Sequence, residues 1–111
     1  MSDPATMIAA RLAELWQRSL PMMLERVGVL RDACEALGRD ANDTVSRSAA
    51  REAAHKLSGS LGIFGLSRGT ELAAAMEEVL KGADLLTPQR VLLLAEQTRE
   101  LDAAIRAKPA S

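Results

Sequence analysis

Leu20, Met23, Val27, Leu30, Cys34 and Leu37 recur at alternating spacings of three and four residues, the seam that an α-helix presents when it packs along other helices. Comparable stripes follow in Ala50, Ala54, Leu57, Leu61 and Phe64, in Leu72, Met76 and Val79 widened by Ala73 and Leu80, and in Val91, Leu94, Thr98, Leu101 and Ile105. Hydrophobic residues make up 48% of the chain but aromatic ones only 2%, a bias that suits thin, closely packed helices better than a sheet. The fold these features predict is all-α.

Punctuation divides the helices. Asp3-Pro4 and Thr87-Pro88 read as an N-cap followed by proline at the first helical position, where the missing N–H costs nothing. Ser19 and Pro21 predict the end of a short first helix at about residues 4 to 18. A second helix runs to Leu37 and stops at Gly38. Asn42 or Asp43 caps the third, which ends where Gly65 takes the left-handed position and Leu66 folds back onto Leu61. Ser67 caps the fourth, Gly82 ends it, and the fifth starts after Thr87. Helices two to five then form an antiparallel four-helix bundle, with the short additional N-terminal helix packed against one end. With 111 residues there is material for one core, so residues 1–111 read as a single domain ordered over about 4–107, with "AKPAS" as a disordered tail.

Fourteen basic and fifteen acidic residues leave a formal charge of -1 with no block of like sign, which argues against nucleic acid as the main partner. The lone Cys34 excludes an internal disulfide, fits a reducing compartment, and by its place in the seam reads as core filler. An acid stands in the N-terminus "MSDPATMIAA" where a signal peptide has basic residues, and no apolar run approaches the roughly 20 residues of a membrane span. A cytoplasmic protein without membrane attachment is the expectation. One Cys and one His cannot hold zinc, the acids are scattered, and no glycine-rich loop sits between a strand and a helix. No metal, no cofactor and no ATP chemistry are expected of this chain.

The only histidine, His55, lies mid-helix in "REAAHKLSGSLGIFGL". At about 100° per residue it points nearly opposite Leu57, so a core-facing Leu57 turns the imidazole to solvent. Arg51, Glu52, Ser58, Gly59 and Gly62 share its side of the helix. Two interior glycines cost about 1 kcal/mol each relative to alanine, yet they leave bare backbone beside the ring. A cleared surface next to an imidazole, a side chain whose neutral nucleophilic form is abundant near neutral pH, suggests group transfer through a covalent histidine intermediate with a docked protein. Glu77 and Lys81, one turn apart on the fourth helix, either form a solvated pair or lean toward His55. Met22, Val29 and Ala33, off the seam of the second helix, together with Ile63, make a candidate apolar docking patch.

"AHKLSGSLGIFGL" resembles the motif of the histidine phosphotransfer (HPt) domain family: Ala-His, then leucine at two, glycine at four, serine at five and glycine at ten residues past the histidine. Leu57, Gly59, Ser60 and Gly65 fill those places. The resemblance implies that His55 accepts a phosphoryl group on Nε2 from a receiver-domain aspartate and passes it to another, without kinase activity of its own. The partners implied are receiver domains of response regulators and of a hybrid histidine kinase, and the receiver supplies the Mg²⁺. Members often have lysine three residues after the histidine; Ser58 stands there, leaving Lys56 or Arg51 to supply the charge.

Two rivals remain. A dimerisation fragment of a sensor histidine kinase also exposes a phosphorylatable histidine, but such helices usually carry proline shortly after it, where Ser60 and Leu61 stand, and they need a second chain, whereas this chain has helices enough to be monomeric. A non-catalytic helical adaptor leaves the two glycines unexplained.

Overall fold

The computed structural model describes residues 3–109 as four α-helices, with no strand among them: α1 Pro4–Arg39, α2 Thr44–Ile63, α3 Ser67–Lys81 and α4 Pro88–Ala107. Short connections make consecutive helices antiparallel. Each packs on its neighbour in sequence, and α1 closes the ring on α4. The predicted seams meet in one core that includes Met23, Leu30, Leu57, Leu61, Met76, Leu94 and Leu101, while Leu20, Phe64 and Val79 are half-buried at its margin. The all-α four-helix bundle is therefore the fold.

The separate N-terminal helix is not. Residues 4–18 are the first half of α1, which runs unbroken through Pro21. Trp16 explains the continuity: it is 2% exposed, meets Phe64 edge-on with ring centroids 5.1 Å apart, and carries the Lys108 ammonium 5.2 Å above its ring. Burying a large apolar side chain contributes about 1.5–3 kcal/mol and the aromatic contact about 0.5–1.5 more, which offsets the ~3 kcal/mol cost of an interior proline. Pro21 and Gln17 are both exposed, so the carbonyl that the proline leaves without a donor lies on the solvent side of the helix, where it costs least. With 36 residues α1 is about 54 Å long against the molecule's 58 × 19 × 19 Å. Its first dozen residues form an arm beyond the bundle, with Met7, Ile8, Leu12 and Leu15 exposed.

The turns set the registers. Asp43 caps α2, accepting from Ser46 N–H at 3.0 Å and Ser46 Oγ at 2.8 Å. Gly65, at φ 71°, ends α2 in a Schellman motif: Leu66 N–H reaches Leu61 O at 3.0 Å and Gly65 N–H reaches Gly62 O at 3.1 Å. Ser67 is not the cap of α3. Leu66 holds that position without a side-chain bond, because its backbone is already committed to the Schellman turn and the helix starts at once. Thr87 caps α4 as expected. Of the tail, Lys108 lies against Trp16, and Ala110 and Ser111 fall outside the described residues.

Candidate functional site

His55 sits at the middle of α2, near the α3 side of the helix, on a face that the core seam forces outward. Leu57, Ala54 and Leu61 are fully buried, so the imidazole, about 200° around from Leu57, emerges into solvent with its side chain 73% exposed. The glycines beside it are open as expected: a Cβ on Gly59 would meet nothing within 4 Å, and one on Gly62 only Thr70 Oγ1 at 3.9 Å. Ser58 is half-buried, on the flank toward α3.

The ring is held by α3. Nδ1 lies 2.9 Å from Glu77 Oε2, and because a carboxylate only accepts, Nδ1 carries the hydrogen and donates it. A neutral ring fixed in this way has its free lone pair on Nε2, the outer nitrogen. Of the two readings for Glu77, the one toward His55 is realised; Lys81 turns instead to Glu78 at 3.3 Å. The Glu77 side chain is only 18% exposed, which shortens its reach to solvent and favours the fixed bond.

Around the ring is an open depression of about 500 Å³ lined by Ser48, Arg51, Glu52, His55, Glu77 and Lys81. Lys56, on the flank toward α1, is bound to Glu52 at 2.7 Å, and this lysine holds the Glu52 carboxyl below its ordinary range. Among the described residues no three His, Cys, Asp or Glu side chains gather in a group fit to hold a metal ion.

The four residues of the expected apolar docking patch differ in exposure. Met22 and Ile63 are exposed at 43% and 73%. Val29 is half-buried and packed on the core. Ala33 is buried and belongs to no docking surface: α1 turns it between Leu30 and Leu37 toward the interior, a consequence of the apolar stripe being wider than the three-four seam.

Two residues that sequence reasoning passed over also shape the site. Arg47, two turns before His55, donates to the carbonyls of Leu80 (2.9 Å), Gly82 (2.6 Å), Asp84 (2.7 Å) and, at 3.4 Å, Val79, closing the C-terminal end of α3 and fixing its register against α2. Arg26 of α1 donates to Ser60 Oγ at 3.3 Å. Neither bond has a local signal, since each depends on which helices become neighbours.

Residues 9–107 match the Hpt domain family. The chain belongs to that family. Hpt domains are phosphotransfer modules, carrying histidine phosphotransfer in two-component phosphorelays, and they interact with receiver domains. The Hpt domain described here is also 33% identical over 93 residues to Protein RcaC of Microchaete diplosiphon, a match that takes in 84% of this chain and 14% of that protein. This chain thus spans about a seventh of that relative's length. No solved structure matches it. No helix among the described residues is long and apolar enough to cross a membrane.

Proposed function

We propose that His55 is the phosphoacceptor of this Hpt domain and relays a phosphoryl group between receiver aspartates. The observation that carries this reading is the outward imidazole with Nδ1–H held by Glu77 at 2.9 Å. In the transfer, the Nε2 lone pair attacks the phosphorus of an aspartyl phosphate, an N–P bond forms, and the P–O bond to the aspartate breaks with its electron pair leaving on the carboxylate. Nδ1 keeps its proton, so the phosphorylated ring gains positive charge, and the Glu77 carboxylate lies against it. Transfer to a second receiver is the same step reversed. Phosphoryl transfer asks mainly for positioning and for cations at the equatorial oxygens, and the receiver contributes Mg²⁺ and its own lysine. The bare backbone at Gly59 and Gly62 lets that partner approach.

The domain relays phosphate without generating it, and it works as a monomer in the cytoplasm, consistent with the lone unpaired Cys34. Four helices from one chain already close the core, which disfavours the kinase-fragment reading because a dimerisation hairpin needs a second chain. The arm, a dozen residues long and exposed along nearly all of them, falls short of the roughly 20–30 residues a side of a stable interface.

The test is labelling by phosphorylated receivers. Wild type should acquire acid-labile phosphate, and His55→Gln should stay folded and unlabelled. ATP and Mg²⁺ alone should label neither protein. Phosphate persisting on the His55→Gln protein, or self-labelling from ATP, overturns the proposal.

A further inference from the structure

A phosphoryl group on Nε2 brings about 1.5 to 2 negative charges to a depression that already holds the carboxylates of Glu52 and Glu77. Ser58, one turn past His55, brings no charge, so any cation this chain adds to the receiver's Mg²⁺ and lysine comes from elsewhere on the face. Most of the cations around this face are engaged. Lys56 binds Glu52 at 2.7 Å and Lys81 binds Glu78 at 3.3 Å. Arg26 donates to Ser60 Oγ and, at 3.3 Å, to Met22 Sδ in the groove between α1 and α2. Arg47 is committed to the carbonyls at the end of α3.

Arg51 is different. It is exposed, lines the same depression as His55, and has no ion-pair or hydrogen-bond partner among the described residues. It stands one turn before His55 and about 40° around the helix toward α3. Side chains on a helix lean toward its N-terminus, so the imidazole tips over the turn that carries Arg51 and away from Ser58. We infer that Arg51 is the charge-neutralising residue of this site, binding the equatorial oxygens of the phosphoryl group from the N-terminal side of the ring. A guanidinium fork suits two of those oxygens at once. Lys56 has the complementary task of neutralising Glu52, which would otherwise repel the incoming group. This inference rests on His55 being the phosphoacceptor.

The test uses phosphoramidate as donor, which phosphorylates the imidazole with release of ammonia and so removes any effect of partner docking. The rate of phosphohistidine formation is followed by ³¹P NMR on the full chain, with folding checked by circular dichroism. Arg51→Gln should slow labelling about tenfold, the scale of one lost charge-assisted contact at an exposed site, while Arg51→Lys keeps most of the rate. Ser58→Lys added to Arg51→Gln should restore it by returning a cation to the usual position. Arg106→Gln, which changes net charge equally but lies on α4 paired with Asp102, should label as wild type does. Equal rates for Arg51→Gln and wild type, an equal loss in Arg106→Gln, or no recovery from either lysine would each overturn the inference. Wild type that takes no label on His55 would instead remove the phosphoacceptor reading beneath it.

Discussion

Replacing Gly59 with leucine separates the needs of the helix from those of the partner, because the two effects have opposite signs. A Cβ at this position meets nothing within 4 Å, so no packing term opposes the substitution. Leucine exceeds glycine in helix propensity by about 0.8 kcal/mol. For a domain of this size each kcal/mol moves the melting temperature by about 4–8 °C, and a rise of about 3–6 °C is expected. The same side chain stands one turn from a nitrogen that must come within about 3–3.5 Å of phosphorus, and a displacement of about 1 Å can cost a hundredfold in rate. Transfer from a phosphorylated receiver should slow at least tenfold, whereas labelling by phosphoramidate, which needs no docked protein, should be unchanged. Gly69 shows what a packing glycine looks like here: a Cβ would lie 3.1 Å from Leu61 Cδ1 and 3.3 Å from Leu66 Cδ2. A melting temperature several degrees lower in Gly59→Leu would mean that Gly59 behaves like Gly69. Unimpaired transfer would mean that the bare surface has no part in docking.

Trp16→Ala should cost about 3–5 kcal/mol in urea unfolding, since the ring is buried and its loss also strands Phe64; a change below about 1 kcal/mol would show that burial of the tryptophan is not what offsets Pro21. The Asp43 carboxyl is held below its ordinary value, first by the Ser46 backbone N–H and then by the Ser46 hydroxyl. A lowered folded pKa stabilises above the unfolded value of 3.8 and is lost as pH falls through the folded one. Asp43→Asn retains a cap but cannot titrate, so its melting temperature should fall less steeply than that of wild type below about pH 4. Parallel curves for the two proteins would contradict this.

What the sequence made legible follows from which interactions are local. The seams, the Asp3, Asp43 and Thr87 caps and the Gly65 turn depend on residues within one or two turns of each other, and each is where periodicity and cap chemistry place it. Pro21 was misleading for the same reason: its effect on the preceding residue is local, but what overrides it is Trp16 against Phe64, 48 positions away. A signal was nevertheless present, because Trp16, Leu20 and Met23 keep the four-three spacing straight across the proline. The candidate site divides likewise. The outward aspect of His55 and the bare glycines are properties of one helix and were readable from its phase. The Glu77 bond and the Arg47 clasp on α3 require knowing that α2 and α3 are neighbours and in what register, which no spacing within either helix contains. The distribution of cations falls partly in each kind, since Lys56–Glu52 and Lys81–Glu78 are pairs within one helix. Lys56 and Arg51 are both near His55 in sequence, and the i,i+4 spacing already pairs Lys56 with Glu52, whereas Arg51 has no acid three or four positions away. Helix phase and local pairing can therefore say which cation is within reach of the imidazole and without a partner on its own helix, but that it faces a depression shared with α3 is a property of the assembled face.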